Sequence, residues 1–432
     1  MSESRTVRIE VPVLARVEGE GALDLTITGG RIEDLRLRIF EPPRFFEKLL
    51  EGRACAEVPD IVARICGICP VAYQMSAVHA LERAFGVTVT PWIRAMRRLI
   101  YCGEWIESHA LHIHLLAAPD FHGYDSAIAM ARDYPDEVRR GLRLQGLGNE
   151  IIRLLGGRSV HPVGVRVGGF HHAPALAAAQ SLAAKLEAAL PDARELLRWT
   201  ARFPLPADEQ AFTCVALRHP DEYPMAAGRI VSDGGLDIDA DSYESRFREL
   251  HVPHSTALHA QLDGEPYLVG PLARVNLCAA QLPREVRDTL ASTGIHFPSR
   301  NMFHSVVARA AEIHHALLEA IRLLKAYTLP DSPFVPIEPR AGEGAWATEA
   351  PRGLLWHRYR VGEDGRVAWA RIVPPTSQNQ ARIEQDLRAS IERIGAQHDD
   401  AHLRRHAEMV IRNYDPCISC ATHFLRLNVT RV

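Results

Sequence analysis

The sequence predicts a mainly α-helical fold with a small N-terminal β portion, which places the protein in the α+β class. Short segments of alternating apolar and polar residues lie near the N-terminus, and longer segments with helical hydrophobic spacing follow them. The 432 residues contain no internal repeat, low-complexity tract or flexible linker. With 47% hydrophobic and 24% charged residues, the composition is that of an ordinary globular protein. We therefore expect a single, mostly helical domain.

The predicted elements begin with three strands. Apolar and polar residues alternate over residues 7–13 and 22–27, and Gly29-Gly30 marks the turn before a third strand at residues 32–39. Glu363-Asp364-Gly365 predicts the turn of a hairpin over residues 361–373. Four longer segments carry apolar residues at helical spacing and are predicted helices: residues 92–116, 175–199, 302–327 and 381–414.

Charge and hydropathy give no reason to expect a nucleic-acid or membrane partner. The formal net charge is -3, so no large basic surface is expected. No stretch approaches the roughly 20 consecutive apolar residues that a membrane helix needs. The first residues lack the basic and then apolar layout of a signal peptide. We expect a soluble, cytoplasmic protein.

Four of the eight cysteines form two Cys-x-x-Cys pairs, Cys66 with Cys69 and Cys417 with Cys420. Two intervening residues allow both sulfurs of a pair to converge on one metal ion. The pairs are 347 residues apart, whereas compact zinc modules place them roughly 15–20 residues apart. A structural zinc site and a redox disulfide both remain open at this point. Four thiolates suit Zn, Fe or Ni and do not choose among them.

The cysteine motifs and the blocks between them resemble, in the same order, the large catalytic subunit of [NiFe] hydrogenases. The cysteine motifs are Arg64-Ile65-Cys66-Gly67-Ile68-Cys69 and Asp415-Pro416-Cys417-Ile418-Ser419-Cys420-Ala421-Thr422-His423. The other blocks are Arg16-Val17-Glu18-Gly19-Glu20, residues 44–53, Gly156-Gly157-Arg158 with His161-Pro162, Glu349-Ala350-Pro351-Arg352-Gly353 and Val373-Pro374-Pro375-Thr376. The resemblance covers nearly the whole chain and implies reversible heterolytic cleavage of dihydrogen.

The resemblance implies a role for each cysteine. Cys66, Cys69, Cys417 and Cys420 would hold nickel, and Cys69 and Cys420 would also bridge to an iron that carries carbon monoxide and cyanide. Cys417 would accept the proton released from dihydrogen, because a thiolate can serve as both ligand and base. Glu18 would carry that proton outward, since a carboxyl group near the metals suits a proton relay.

The resemblance also implies an arginine over the open metal position, Arg352. Its guanidinium stays charged, so we expect an electrostatic and hydrogen-bonding role, with Asp415 and Asp120 holding it. Thr376 would donate a hydrogen bond to a cyanide ligand, although many relatives place a serine one position earlier, where this chain has Pro375.

A second metal site and one departure complete the implied centre. Glu47 and His423 would bind magnesium or a second iron, for which mixed carboxylate and imidazole ligands are suitable. Many relatives have histidine four residues after the second cysteine of the first pair, where this chain has Tyr73. Tyrosine can donate a hydrogen bond to sulfur but does not titrate near neutrality.

The resemblance to this family implies that residues 1–423 form the mature catalytic domain. Residues 424–432 would be a C-terminal extension that a maturation endopeptidase removes after a nickel-insertion chaperone has acted. Electrons would leave through a small subunit with iron–sulfur clusters. The motif variants look most like the soluble bidirectional class, coupled to NAD(P) through flavin-binding subunits. The alternatives are a non-catalytic relative like the quinone-site subunit of complex I, and a four-cysteine structural zinc protein.

Overall fold

The computed structural model describes residues 6–29, 31–395 and 398–422. Its strands all pair antiparallel, as expected where short turns join neighbouring strands. The strands are β1 Thr6–Val11, β2 Gly21–Thr28, β3 Arg31–Ile39, β4 Val165–Arg166, β5 Gly169–Phe170, β6 Val215–Arg218, β7 Arg229–Ser232, β8 Asp237–Ile238, β9 Phe247–Leu250, β10 His259–Leu262, β11 Gly342–Ala350, β12 Gly353–Val361 and β13 Val367–Val373.

Helices make up most of the regular structure in the described ranges. They are α1 Phe46–Leu50, α2 Val58–Val62, α3 Pro70–Phe85, α4 Pro91–Leu111, α5 Ala118–His122, α6 Ala127–Met130, α7 Pro135–Gly156, α8 Leu176–Ala188, α9 Leu190–Ala201, α10 Tyr243–Arg246, α11 Pro271–Cys278, α12 Arg284–Ala291, α13 Ser305–Lys325, α14 Pro375–Ile394, α15 Asp400–Asn413 and α16 Ile418–Ala421. A π-helical turn, His112–Ala117, links α4 to α5.

The predicted fold class, mainly α with a smaller β component, is confirmed. The three predicted N-terminal strands form one sheet in the order β1-β2-β3. The predicted turn at Glu363-Asp364-Gly365 joins β12 to β13, but β12 lies almost entirely before the predicted range, and β11 adds a third strand. The smaller sheets formed by β4–β10 extend the β structure beyond the N-terminal region in which it was expected.

Two of the predicted long helices are each divided in two. The segment 175–199 becomes α8 and α9, with Pro191 in the first turn of the second helix. The segment 381–414 lies across α14 and α15, and α14 ends at Gly395, whose φ of 85° favours glycine. Hydrophobic spacing continues through both breaks, so it cannot by itself show where a helix stops.

One large apolar core joins the helices to the N-terminal sheet, and a smaller cluster around Trp356 packs between β6–β10 and β11–β13. Helix α4 packs along α7 and α13, while α3 packs against β11 and β12. This packing positions the start of α3 and the segment after α15, where the cysteine motifs lie. None of the helices in the described ranges combines the length and apolar character that a membrane crossing requires.

Candidate metal centre

The four cysteine thiols of the two Cys-x-x-Cys motifs converge in the core. Each cysteine is at most 2% exposed, and the four Sγ atoms all lie within 4.8 Å of one another. Across the two motifs, the Sγ atoms of Cys66 and Cys417 are 3.4 Å apart, and those of Cys69 and Cys420 are 3.8 Å apart. Segments 347 residues apart in sequence therefore form one buried thiol cluster.

The first pair lies at the N-terminus of α3. Pro70 begins the helix, a position at which proline loses no helical hydrogen bond. The backbone N–H groups of Ile68 and Cys69 donate to Cys66 Sγ, each at 3.3 Å. Backbone donors and the positive end of a helix both favour a thiolate at this position.

The second pair lies in the segment that follows α15. The backbone N–H of Cys417 donates to Thr376 Oγ1 in the first turn of α14, at 3.0 Å. The backbones of Glu18 and Cys417 form an isolated parallel β-bridge, in which Ile418 N–H donates to the Glu18 carbonyl at 2.9 Å. The second pair is therefore anchored by α14 and by the N-terminal segment.

The Glu18 carboxylate reaches the cluster directly. The Cys417 thiol donates to Glu18 Oε2 at 3.1 Å, and Ser419 N–H donates to the same oxygen at 3.0 Å. Gly19 has a φ of 87°, and a Cβ there would lie 2.7 Å from Ile418 Cβ. Glycine after Glu18 is thus required for the close approach of the two segments.

Arg352 and Asp415 form a buried ion pair beside the thiols. Arg352 Nε donates to the Asp415 carbonyl at 2.8 Å, and Nη2 donates to Asp415 Oδ1 at 3.0 Å. Burial opposes the charge, but Asp415 and the thiolates raise the pKa of Arg352 well above its usual value. Asp415 has a φ of 55°, an unusual conformation for a residue other than glycine. Arg309 Nη1 lies 3.5 Å from Asp415 Oδ2.

This arrangement agrees with a family match over more than half of the chain. The profile of the family described as nickel-dependent hydrogenase matches residues 44–138 and 255–423. The chain belongs to this family. It is a large, catalytic hydrogenase subunit, an oxidoreductase, and its four buried thiols form a group that could hold a metal ion.

Relatives of this hydrogenase subunit cover almost its full length. It is 34% identical to sulfhydrogenase 1 subunit alpha of Pyrococcus furiosus, over 97% of this chain and 98% of that protein. It is 27% identical to NAD-reducing hydrogenase HoxS subunit beta of Cupriavidus necator, over 97% and 95% of the two chains. A crystal structure of an NAD+-reducing [NiFe]-hydrogenase in the H2-reduced state superposes with a TM-score of 0.85. That structure is 26% identical and covers 98% of this chain and 100% of its own.

Asp120 does not hold Arg352 as the family resemblance implied. Its Oδ1 accepts from Arg16 Nη2 at 2.5 Å and from Arg412 Nη2 at 2.8 Å, and its Oδ2 accepts from Arg412 Nε at 2.7 Å. Asp120 instead connects the segment before Glu18 with the end of α15. Among the described residues, the hydrogen bonds of Arg352 go to Asp415 and not to Asp120.

Glu47 lies on α1, where its Oε1 accepts from the backbone N–H of Ile372 at 2.8 Å. The other expected ligand of the second metal site, His423, lies outside the described residues, as do residues 424–432. Thr422, the last described residue, accepts at its carbonyl from Arg44 N–H at 2.6 Å. The end of the described chain therefore lies against the segment that carries Glu47.

Two residues whose roles were not inferred from the sequence hold the cysteine motifs in place. Arg44 Nη2 donates to the Ile65 carbonyl at 2.7 Å and also to the Ser419 carbonyl, so one guanidinium joins both motifs. Glu104 accepts from the first backbone N–H groups of α3, those of Val71 at 2.6 Å and Ala72 at 3.0 Å. Neither role has a local sequence signal, because both contacts join distant segments.

A second set of fully buried charges, also missed from the sequence, supports the turn that carries Arg352. Arg274 donates to the carbonyls of Ala350 and Pro351 at 2.9 and 3.0 Å. Its remaining donors pair with Glu312 and Glu349. Since every side chain of this set is 0% exposed, loss of any partner would leave a buried charge uncompensated.

The residues present fit a bound nickel–iron group. Four thiols are the donor set that soft and borderline metals prefer. Arg352 Nη1 is buried and has no hydrogen-bond partner among the described residues, so a donor is available for a further acceptor in the centre. Hydrogen bonds among the thiols, that from Cys417 first, lower the pKa of Cys66 well below its usual value, whereas burial raises that of Cys417. Loading the metal must therefore release protons.

Proposed function

We propose that this subunit interconverts dihydrogen with two protons and two electrons at a nickel–iron group. Cys66, Cys69, Cys417 and Cys420 would hold the nickel, and Cys69 and Cys420 would also hold an iron that carries carbon monoxide and cyanide. When bound, the group supplies the Lewis acidity and redox capacity needed to split dihydrogen heterolytically. The observation that carries the proposal is the buried four-thiol cluster, in which one thiol is hydrogen-bonded to the Glu18 carboxylate.

In this proposal Cys417 accepts the proton and Glu18 removes it. The 3.1 Å separation of Cys417 Sγ and Glu18 Oε2 is within reach of a direct transfer. Ser419 N–H holds the receiving oxygen in position. Glu18 is half-buried, so the proton passes from the sealed thiol cluster to a residue with access to solvent.

Arg352 and Thr376 would orient the small ligands of the group. Arg352 is fixed by two hydrogen bonds to Asp415, which leaves the buried Nη1 to interact with the diatomic ligands and with incoming dihydrogen. Thr376 accepts from the Cys417 amide, and its own hydroxyl proton can be donated to a cyanide ligand. A fixed array of donors stabilises charge without having to reorganise during the reaction.

The second metal site is proposed at Glu47 and His423, with magnesium or a second iron. Its support is the motif spacing together with the contact between Thr422 and Arg44, which brings the C-terminal motif to the α1 segment.

We also propose that an endopeptidase removes residues 424–432 after a chaperone has delivered nickel. Intact mass measurement of the purified chain tests this cleavage.

The electrons would leave through a partner with iron–sulfur clusters. Apart from the thiol cluster, the described residues bring together no further set of cysteines that could hold such a cluster. Exposed Val160 and Val163 belong to a loop beside Gly67 of the first cysteine motif, which suits docking of a small subunit there.

Likeness to the NAD-reducing relatives supports coupling to NAD(P) in the cytoplasm. The sequence has no Gly-x-Gly-x-x-Gly motif, so a flavin- and nucleotide-binding partner would carry that step.

An infrared spectrum of the complex, purified anaerobically from its native host, tests the proposal. Carbon monoxide and cyanide on iron absorb in the triple-bond region, where protein is nearly silent. We expect bands there together with nickel and iron in the same sample. A blank region in protein whose mass shows cleavage after His423 would contradict the proposal and favour a non-catalytic or zinc-binding chain. Protein that retains residues 424–432 must first be separated, because it is the unloaded form.

A further inference from the structure

A second group of potential metal ligands lies outside the cysteine centre. One ligand atom each of His254, His259 and Glu384 lies within 4.8 Å of the other two. His254 lies in the loop between β9 and β10, His259 begins β10, and Glu384 lies on α14. Three separate positions of the fold therefore bring imidazole and carboxylate groups to one point.

The cluster is built into the protein rather than formed by mobile surface side chains. His254 Nε2 lies 2.8 Å from Glu384 Oε1, and the backbone N–H of Leu37 on β3 donates to the same oxygen at 2.9 Å. Each of the two side chains is only 20% exposed. The imidazole rings of His254 and His259 lie edge to face, with centroids 5.8 Å apart.

His259 is the observation that points to a ligand. It is 4% exposed, and its Nε2 has no hydrogen-bond partner in the part of the chain that the structure describes. Leaving a buried polar atom unsatisfied costs about 1–3 kcal/mol. An ion bound at this nitrogen would remove that cost. A neutral imidazole nitrogen is the form that binds metals.

We propose that His254, His259 and Glu384 bind a divalent transition-metal ion, for which zinc is the best match. Two imidazoles and one carboxylate form a recognised zinc ligand set, with water available as a fourth ligand. The absence of sulfur disfavours copper(I) and iron–sulfur chemistry. The ion would satisfy the buried nitrogen of His259 and the negative charge of Glu384 at the same time.

The site would join three elements of the fold. The loop with His254 already contacts the end of β3, where Thr256 Oγ1 donates to the carbonyls of Ile39 and Glu41 at 3.0 and 2.9 Å. Glu384 lies about 12 Å along α14 from Thr376, at 1.5 Å per residue. The bound ion would therefore connect this loop and β3 to the helix whose first turn holds Cys417. It would be separate from the nickel centre.

Metal analysis of the whole purified complex, equilibrated with zinc and freed of excess ion, tests the proposal. We expect one zinc per chain in the wild type, and His259→Gln and Glu384→Gln should weaken zinc binding roughly 100-fold or more. The matched control is His251→Gln, a change at an exposed neighbouring histidine outside the ligand set, which should retain zinc. Nickel and iron content measured in the same samples reports whether each variant has folded.

Zinc-edge X-ray absorption of the wild-type complex decides the case even if the variants fail to fold. Scattering from nitrogen and oxygen alone at about 2.0–2.2 Å supports the site. Sulfur at about 2.3 Å would place zinc in the cysteine cluster and overturn the proposal. Equal zinc in the wild type and His259→Gln, or no zinc in the wild type, would also overturn it. Zinc–sulfur scattering would also count against nickel in the cysteine cluster, which the nickel content of the same sample decides; the other results leave the nickel assignment untouched.

Discussion

At the metal centre, single side chains are held by groups from distant parts of the sequence. Arg352 is fixed by Asp415, whose other carboxylate oxygen lies near Arg309. Burial alone would raise the pKa of Asp415, but Arg352 in particular lowers it below its usual value. Both partners of the ion pair therefore stay charged, and the guanidinium geometry, rather than charge alone, positions Nη1.

Arg352→Lys tests that geometry, because lysine keeps the charge but cannot donate in a planar fork. We expect hydrogen-dependent dye reduction to fall about 10²–10³-fold, the usual cost of removing a fixed donor. Nickel and iron contents should stay at wild-type levels. Arg360→Lys, at an exposed position, is the control. Activity near that of the wild type in Arg352→Lys would show that a positive charge is sufficient there.

Glu18→Gln tests the proposed proton route. The amide cannot take up a proton from Cys417. We therefore expect the enzyme-catalysed exchange between dihydrogen and the deuterons of heavy water to slow by about 10²–10⁴-fold. Metal content and the infrared bands should be retained. Glu20→Gln, two residues away and exposed, should exchange at the wild-type rate. Equal rates in the two variants would remove Glu18 from the route.

At the scale of elements, the centre forms where the N-terminus of α3 meets the segment after α15. Glu104 holds the first turn of α3, and Arg44 links the two cysteine segments through their backbone carbonyls. Asp120 joins the segment before Glu18 to α15. These contacts hold the backbones of both cysteine segments next to each other.

Arg44→Gln should loosen both cysteine segments at once, since glutamine is too short to reach both carbonyls. We expect nickel retention during chelator challenge to weaken about 10–100-fold, as for other residues that orient metal ligands. Lys48→Gln, an exposed change four residues along, should alter the free energy of unfolding by no more than about 0.5 kcal/mol. Unchanged nickel retention in Arg44→Gln would mean that α3 and α14 hold the cysteine segments in place without Arg44.

How far the sequence predicted this centre depended on whether the signal was local. The Cys-x-x-Cys spacing of Cys66 and Cys69 and the wider motif order identified the thiols and the family. Hydrophobic periodicity located α4 and α13 but not the breaks at Pro191 and Gly395. Arg44 begins a block that carries the family resemblance, but nothing local indicates which carbonyls it contacts. The partners of Asp120 likewise depend on tertiary packing. The roles of the four cysteines and of Arg352 and Asp415 remain predictions, as do those of Glu18, Glu47, Thr376 and His423.

At the scale of the whole molecule, many histidines are buried and held neutral. Burial lowers the pKa of His79, His112 and His315 to about 3, and that of His109 and His114 to about 4. Unfolding returns each to about 6.5, so as pH falls below 6.5 the unfolded chain binds protons that the native chain does not. Stability is therefore lost as the pH falls toward 4. Glu349, whose pKa burial raises to about 7, acts in the opposite direction.

His315→Leu should reduce this acid sensitivity. Both ring nitrogens of His315 are buried without hydrogen-bond partners among the described residues, so leucine removes a proton-binding group without breaking a hydrogen bond. Each such histidine changes the free energy of unfolding by up to about 1.4 kcal/mol per pH unit. We expect the Tm of the complex to fall less between pH 6.5 and 5 than in the wild type. His296→Leu, at an exposed site, should leave the pH dependence unchanged; equal slopes in His315→Leu would contradict the prediction.

The 347 residues between the two cysteine pairs make metal content a report on the folding of the entire intervening chain. A substitution far from every sulfur, if it keeps α3, α14 or α15 from packing, leaves two half-sites that never meet. Loss of nickel in a variant is therefore not proof that the altered residue is a ligand. Ligands can be identified only among variants that retain native packing, and catalytic defects only among those matched for metal occupancy.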